Sequence, residues 1–396
     1  MNSASNCDKG PNLSIRVLLF SPVAGIDPPS GDTSYTEALL AHPPVGIQYT
    51  TYIQALREGS MRVRGRKPGS SEQWTLTDAR LFLARSAELI ARRCGLMFRE
   101  PTWFVEIEVG AFDVVHQHLF AVAQVRNRVP VVSSAGYPLT VLYKHREGWP
   151  KWRLSLAERL ELLWSRRFKV HTPWLHQVRP SLMSVYSLAA ERYLWSHGAD
   201  RHTTRLISTG LPARRVDKRR SPGNALLFVG RDFQRKGGPL AVQIFRQLKS
   251  AGHSVSLTVV TDQPPPVEFR DTEVEWLVNL DRQVLLGEVF PRSDVLLAPT
   301  TSDCGAPYAV LEALQAGLAV LLSNLVWLDP RLTGPAVRLV DRNLDTMVAE
   351  LEHLLLPTAL AAAQKAAHRL WEEHFSTEDL GRQLRAAYIA VVQASS

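Results

Sequence analysis

Short apolar runs alternate with amphipathic stretches along most of the chain, and each kind of run predicts one kind of element. Apolar residues at helical spacing predict helices, whereas the short runs are apolar at nearly every position and predict strands covered on both faces. The runs predicted as strands are residues 14–22, 112–120, 129–138, 204–210, 225–230, 254–261, 274–280, 294–300 and 318–323. Because strands and helices alternate in both halves, we expect an α/β protein with two doubly wound parallel sheets.

One segment breaks this alternation and divides the chain. Residues 211–224 are basic, contain Pro and Gly and hold few apolar side chains, which is typical of a connection between domains. We therefore expect a first domain over 13–213 and a second over 214–373, preceded by a disordered start at 1–12. Residues 374–396 are amphipathic and predict a final helix.

The composition is that of an ordinary globular protein and leaves its partners open. Of 396 residues, 45% are hydrophobic and 21% are charged, and no apolar run approaches the ~20 residues of a membrane span. The net charge is +8, and basic residues cluster between Arg57 and Arg99 and between Lys144 and Arg179. These clusters fit a solvated surface, attraction for a phosphorylated substrate, or anionic lipid headgroups. The sequence has neither zinc-ligand spacing nor an RNA-binding aromatic strand, so we expect no nucleic acid partner.

The N-terminus and the cysteines bear on location. The first residues, "MNSASNCDKGPN", are polar and carry no secretory pattern. Cys7, Cys94 and Cys304 are far apart and form neither a C-x-x-C pair nor an even disulfide set. The sequence therefore predicts a reduced, cytoplasmic protein, with any membrane contact peripheral, at the inner face and through the basic first domain.

The loop after the 225–230 strand has the composition of a phosphate site. Gly230 ends the strand, Arg231 and Lys236 bracket the turn, and two glycines then lead into a helix. The N–H groups and positive dipole of a helix N-terminus attract phosphate, to which Arg adds paired hydrogen bonds and Lys a point charge. The loop is neither a Walker loop nor a G-x-G-x-x-G turn, so an exposed charged turn is the alternative.

A second turn, "TSDCGAPYAVLEALQAG" at 301–317, follows the 294–300 strand. Pro307 suits the first position of a helix, which leaves the N–H groups of residues 305–309 facing the strand ends. Glu312 lies little more than a turn further on, where a carboxylate can accept hydrogen bonds from a ribose. A surface glutamate near a helix N-terminus is the alternative. Because ligands bind at the carboxyl ends of parallel strands, the two loops together favour a ligand site.

Two histidines stand near the end of the 112–120 strand. We expect His116 and His118 to point to opposite sides of this strand, which argues against a metal pair. His118, at the exit of the strand, is placed to face a cleft between the domains. A histidine satisfied within the core is the alternative.

At this point the residues resemble those of a known family. A strand, "GRDFQRKG" and a helix, with "DVLLAPTTSDCGAPYAVLEALQAGLAVLLS" about seventy residues later, are similar to the donor-binding domain of retaining glycosyltransferases of family 4. That family has a G-R-(variable)-K-G loop and an E-x7-E stretch, roughly EGFGxxxxEAMAxGxPV. The resemblance implies the GT-B fold, in which two Rossmann-like domains face a central cleft and the C-terminal helix crosses back to the first domain. It is concentrated in residues 226–323.

The resemblance also implies roles for individual residues. Arg231 and Lys236 would hold the donor diphosphate and stabilise the leaving group. Glu312 would hold the ribose, and His118 would lie near the donor sugar and take part in catalysis. The implied donor site consists of Gly230, Arg231, Lys236, Asp303, Cys304, Gly305, Ala306, Pro307, Tyr308 and Glu312. On the acceptor side, a loop that includes Gly31, Asp32 and Tyr35 would contact the acceptor.

The chain departs from the family at Cys304. This thiol occupies the position of the first acid of the E-x7-E pattern, which in the family usually contacts sugar hydroxyls. Either Asp303, one residue earlier, replaces that acid, or the donor sugar needs no acceptor there.

The implied activity is transfer, with retention, of a hexose-like sugar from a nucleoside diphosphate sugar to a small-molecule, lipid or saccharide acceptor. Because no D-x-D occurs in the sequence, we expect no metal and no other cofactor. Two alternatives are a nucleotide-sugar epimerase or hydrolase of the same fold, and a non-catalytic GT-B nucleotide-binding or scaffold subunit.

Overall fold

The structure is a computed structural model, and it covers most of the chain in several ranges. It describes residues 14–20, 31–63, 94, 103–118, 121–125, 127–135, 149–168, 181–196, 199–207, 209–214, 224–270 and 273–395. The predicted disordered start at 1–12 and most of the predicted connection at 211–224 lie outside the described residues. The domain boundaries therefore stay predictions.

The elements alternate as the hydrophobic pattern predicts. The strands are β1 (Ile15–Phe20), β2 (Ile47–Thr51), β3 (Met61–Val63), β4 (Trp103–Val109), β5 (Val114–His118), β6 (Ala121–Val125), β7 (Val131–Ala135), β8 (Leu182–Val185), β9 (Thr204–Leu206), β10 (Ala225–Val229), β11 (Ser256–Thr261), β12 (Val274–Val278), β13 (Val295–Ala298), β14 (Ala319–Ser323) and β15 (Val337–Val340). The helices are α1 (Gly31–Ala41), α2 (Tyr52–Arg57), α3 (Lys151–Phe168), α4 (Leu188–Ser196), α5 (Gly238–Ser250), α6 (Tyr308–Gln315), α7 (Leu344–Leu354), α8 (Pro357–His374) and α9 (Thr377–Ser395). Short helical turns lie at Arg201–Thr203, Val267–Phe269, Arg282–Val284, Leu285–Val289 and Phe290–Arg292.

Two parallel six-stranded sheets organise the molecule. The first has the order β2-β1-β5-β7-β8-β9, and the second has the order β12-β11-β10-β13-β14-β15. A small third sheet, β3-β4-β6, lies in the first half of the chain and was not predicted from the sequence. The predicted α/β architecture with two parallel-sheet domains is confirmed.

The second sheet is apolar on both faces because helices cover both. Phe228 and Leu297 pack with one buried cluster, which also holds side chains of α5 and α7. Leu227 and Leu296, their neighbours along the strands, pack with the cluster of α6 and α8 on the other face. Alternate residues of a strand point to opposite faces, so a sheet covered on both sides requires apolar residues at consecutive positions.

The last two helices join the two halves of the molecule. α8 packs on the second sheet through Ala367 and Trp371, which are buried there. The chain then crosses over, and the Leu211 N–H donates to the Phe375 carbonyl at 2.9 Å. α9 packs on the first sheet through Leu380, Leu384, Ala387, Tyr388 and Val391. The C-terminal helix thus returns to the first domain, as the family resemblance implies.

The described helices also bear on the membrane. Within the described ranges, none of them combines the length and the apolar character that crossing a bilayer would require. Cytoplasmic location and peripheral membrane contact stay predictions.

Candidate functional site

The two loops singled out in the sequence are joined into one surface. β10 and β13 are paired in parallel, so the loops that follow them leave the same edge of the second sheet. The Thr301 N–H donates to the Arg235 carbonyl at 2.9 Å, and the Arg235 guanidinium donates to the Ser302 carbonyl at 2.9 Å. Segments about 65 residues apart in sequence are therefore fixed against each other.

Lys236 is held at this edge by a carboxylate. Its ammonium group donates to both oxygens of Asp303, at 2.9 and 2.7 Å. The two side chains are 26% and 16% exposed, so the pair is accessible but largely shielded from solvent. Asp303 thus fixes the lysine that the sequence assigned to phosphate, and an incoming diphosphate must share or replace this contact. Arg231 lies exposed at the end of the same strand.

Glu312 is buried and paired with an arginine that the sequence analysis missed. Arg282 donates to Glu312 Oε1 at 2.7 Å, and the glutamate side chain is only 9% exposed. Burial raises the pKa of Glu312 above its ordinary value, although Arg282 and Arg214 act to lower it. Arg282 begins the helical turn after β12, where Asp281 caps the first N–H groups. Its position after a predicted strand of the same sheet was the only signal in the sequence.

Exchange of Glu312 for glutamine should change how stability depends on pH. Because burial raises the pKa of Glu312, its contribution to stability is fully present below the unfolded pKa and is lost as the pH rises through the folded pKa. Glutamine does not titrate. The Tm of the Glu312→Gln variant, compared with that of the wild type, is therefore expected to rise progressively above about pH 4.5. Thermal unfolding at a series of pH values measures this difference.

Glu275 provides a control of opposite sign. Burial acts to raise the pKa of Glu275, but hydrogen bonds from Arg292 and Thr258 lower it on balance. Its contribution is present above the unfolded pKa and is lost as the pH falls, so Glu275→Gln should lose Tm relative to the wild type as the pH rises. A Tm difference for Glu312→Gln that stays constant with pH, or follows the Glu275→Gln trend, would contradict the effect of burial.

The turn before α6 is shaped by a glycine. Gly305 has a φ of +61°, its N–H donates to the Trp327 carbonyl at 2.8 Å, and its carbonyl accepts from the Asp329 N–H at 2.9 Å. Ala306 is buried, and Pro307 immediately precedes the first residue of the helix. Cys304 is partly exposed and forms no disulfide. The roles assigned to Cys304 and Asp303 in sugar recognition stay predictions.

Gly305 is also where the first domain meets this turn. A Cβ atom at Gly305 would lie 2.6 Å from the Cβ of Tyr186, which follows β8 of the first sheet. Tyr308 packs with the buried clusters of both sheets. The absence of a side chain at position 305 therefore allows the two domains to approach each other beside the predicted sugar pocket.

His118 lies at the other side of this contact. Its Nδ1 is 3.0 Å from Ser134 Oγ and 3.4 Å from the Tyr186 hydroxyl, which connects it to the residue against Gly305. The imidazole is 1% exposed, and burial, with a smaller effect of His116, lowers its pKa well below the ordinary value. The structure thus brings His118 close to the turn that contains Gly305, through Tyr186.

The expected orientation of the two histidines was wrong. His116 Nε2 and His118 Nδ1 both lie within hydrogen-bonding distance of Ser134 Oγ, so the two rings share one face of β5. Residues two apart on a strand point to the same side, and the sequence argument should have used this period. Within the described residues, no cluster of three or more potential ligands could hold a metal ion.

The acceptor-side loop also needs correction. Gly31, Asp32 and Tyr35 were expected in a loop, but they lie in α1, which begins at Gly31. Tyr35 is 1% exposed and stacks on His118, with ring centroids 4.2 Å apart and an angle of 16° between planes. Tyr35 therefore supports the imidazole from behind. A contact between this segment and an acceptor stays a prediction.

Comparison with known proteins follows the same division of the chain. Residues 223–356 match the sequence profile of the family described as glycosyl transferases group 1. This match covers the second sheet and both joined loops, so the second half carries a glycosyl transferases group 1 domain. A search of curated proteins found no match.

Several solved structures are similar over most of the chain. A glycosyltransferase from Rickettsia africae ESF-5 is 12% identical, with a TM-score of 0.55 over 96% of this chain and 99% of that one. HepE from Anabaena, solved with UDP-glucose, is 10% identical, with a TM-score of 0.57 over 95% and 100%. S. aureus TarM, solved with UDP among other ligands, is 9% identical, with a TM-score of 0.52 over 69% and 55%. At these identities the likeness shows the GT-B fold, and the family match with this fold supports a glycosyltransferase.

Proposed function

We propose that this protein is a retaining glycosyltransferase that moves a hexose-like sugar from a nucleoside diphosphate sugar to an acceptor hydroxyl. The observation that carries the proposal is the joined surface at the ends of β10 and β13. It presents Lys236 beside the start of α5 and the turn that leads into α6. Both lie within the part of the chain that matches the glycosyl transferases group 1 profile.

The donor would bind across this surface. Lys236 and Arg231 would contact the diphosphate, together with the N-terminal N–H groups of α5. The buried Glu312 would accept from the ribose hydroxyls, and Arg282 would hold its carboxylate in place. Backbone N–H groups of the turn at residues 305–307 would contact the sugar. HepE was solved with UDP-glucose and TarM with UDP, so UDP-sugars are the first donors to test.

In the reaction, the bond between the anomeric carbon and the diphosphate oxygen breaks and a bond to the acceptor oxygen forms on the same face of the sugar. The bonding electrons leave with the diphosphate, and the acceptor proton passes to this leaving group. Positive charges placed where negative charge develops lower the barrier, so Lys236 and Arg231 would act mainly in the transition state. The absence of D-x-D from the sequence supports a reaction without a metal. Closure of the domains would exclude water.

A thermal-shift panel tests the donor site. Purified protein is heated with UDP, GDP, ADP or TDP and with their common sugars, in EDTA, and uridine serves as the control without phosphate. A ligand at 100 times its Kd stabilises the folded state by about 2.7 kcal/mol, so the Tm is expected to rise with one nucleotide and with its sugar. No rise with any nucleotide would overturn the donor site.

The same samples separate the alternatives. Consumption of the sugar nucleotide that requires an added acceptor supports the transferase, and the anomeric configuration of the product tests retention. Consumption without an acceptor indicates an epimerase or hydrolase. A rise in Tm without any turnover, together with a stable protein partner, indicates a scaffold subunit.

A further inference from the structure

Behind His118, a row of hydrogen-bonding side chains crosses the first domain to the C-terminal helix. His118 Nδ1 and His116 Nε2 lie 3.0 and 2.9 Å from the same oxygen, Ser134 Oγ. His116 Nδ1 lies 2.5 Å from Tyr388 Oη, which is 3.1 Å from Tyr49 Oη. Tyr388 belongs to α9, so a residue from the last helix of the chain contacts the histidines of β5.

Burial fixes the protonation of this row. His116, Ser134 and Tyr388 are fully buried, and His118 is 1% exposed. Burial lowers the pKa of His116 to about 3, lowers the pKa of His118 well below its ordinary value, and raises the pKa of Tyr388 well above its own. At neutral pH each imidazole is therefore neutral with a single N–H, and Tyr388 keeps its hydroxyl proton.

The strongest acceptors in the row decide the direction of its hydrogen bonds. An imidazole nitrogen accepts better than a phenol oxygen, so Tyr388 donates to His116 Nδ1 across the short 2.5 Å contact. His116 then carries its proton on Nε2 and donates it to Ser134. The serine has one hydroxyl hydrogen left to give, and it donates this to His118 Nδ1.

A second hydroxyl favours the same arrangement at His118. The Tyr186 hydroxyl lies 3.4 Å from the same Nδ1 and can donate to it. With donors on this side, Nδ1 is the bare acceptor nitrogen of His118. The single proton of its imidazole is left for Nε2.

We infer that Tyr388, acting through His116 and Ser134, holds neutral His118 in the tautomer whose proton is on Nε2. Within the part of the chain that the structure describes, Nε2 is buried and has no hydrogen-bond partner. An N–H in this position requires an acceptor, and a hydroxyl oxygen of the donor sugar has the right chemistry. This meaning rests on the proposed function: His118 is a hydrogen-bond donor to the sugar rather than a base, and Tyr388 is a positioning residue.

Nitrogen-15 NMR of histidine-labelled protein tests the inference without substrate. The chain has 12 histidines, and His118→Gln and His116→Gln variants assign the two signals of interest. In the wild type, Nε2 of His118 is expected to give the signal of a protonated nitrogen and Nδ1 that of a bare one. Tyr388→Phe removes the hydroxyl that orients His116 and is expected to shift His118 toward the opposite tautomer. With UDP-glucose as the donor, kcat should fall about tenfold while KM changes less.

Tyr52→Phe is the matched control. Tyr52 is also a buried tyrosine of the first domain, but it packs in the cluster on the other side of the sheet. Its variant should leave both the His118 signals and kcat unchanged. If Tyr388→Phe does not fold, Tyr49→Phe removes the next hydroxyl of the row and is expected to cause a smaller shift in the same direction.

The outcomes separate this inference from the proposed function. A wild-type His118 with its proton on Nδ1 overturns the inference, and so does an unchanged tautomer in the Tyr388→Phe variant. Because the NMR signals come from the free protein, failure of every variant and of the wild type to turn over sugar nucleotides would count only against the proposed function.

Discussion

Replacement of Lys236 by alanine is expected to lower sugar transfer by about 100- to 1,000-fold and to leave the fold intact. The ammonium group is partly exposed and contacts Asp303, so its loss removes no core packing. In the proposed reaction it faces the departing diphosphate, whose negative charge grows in the transition state. Because this interaction is stronger in the transition state than with bound donor, the loss is expected in kcat. Turnover at saturating donor, measured beside the Tm of the variant, checks the prediction.

Lys249 offers the matched control. It lies in the last turn of the same helix, α5, where its ammonium group is 3.3 Å from Glu273, again in a lysine–carboxylate pair. Lys249→Ala removes the same charge from the same helix at the end far from the joined loops, and turnover should stay at the wild-type level. Wild-type turnover in a folded Lys236→Ala variant would remove Lys236 from the mechanism.

Replacement of Gly237 by alanine is expected to cause the largest loss of stability among single changes at the site. Gly237 has a φ of +83°, which costs an L-residue about 1–2 kcal/mol. Its Cβ would also lie 2.6 Å from the carbonyl carbon of Pro299, and closer still to the oxygen. These are backbone atoms at the end of β13, so they cannot rotate away, and overpacking of this kind adds about 1–3 kcal/mol. Thermal and urea unfolding measure the loss.

The glycine at the opposite end of α5 isolates the packing effect. Gly252 has a φ of +89°, close to that of Gly237, and a Cβ there would meet no atom within 4 Å. Gly252→Ala should therefore show only the backbone cost, and Gly237→Ala should be less stable by the additional clash. Equal losses in the two variants would mean that the loop can move away from Pro299, and that the joined surface is looser than the structure shows.

Much of the second domain was predictable because its signals are local. The apolar runs at 225–230, 254–261, 294–300 and 318–323 contain β10, β11, β13 and β14, since strands buried on both faces need apolar residues at consecutive positions. The same pattern placed two loops at the carboxyl edge of one sheet. The contacts of Arg235 with Thr301 and Ser302 agree with that placement.

The predictions that failed concerned how segments pack rather than what they are. α1 begins at Gly31, although polar and small residues there favoured a loop, and its Tyr35 is buried against His118. The shared orientation of His116 and His118 follows from the period of a strand, but their common partner Ser134 comes from a different strand, β7. The pairing of Glu312 with Arg282 likewise joins segments thirty residues apart.

The sequence by itself determined the two parallel-sheet domains, the basic loop with Lys236 and the turn before α6, because periodicity, glycines and helix starts are properties of neighbouring residues. Only the tertiary structure decided which charges meet and which rings stack. Asp303 on Lys236, Gly305 against Tyr186, and Tyr388 on His116 each join residues at least 67 positions apart. Such contacts depend on how helices and sheets pack, and no local pattern in the chain encodes that distance.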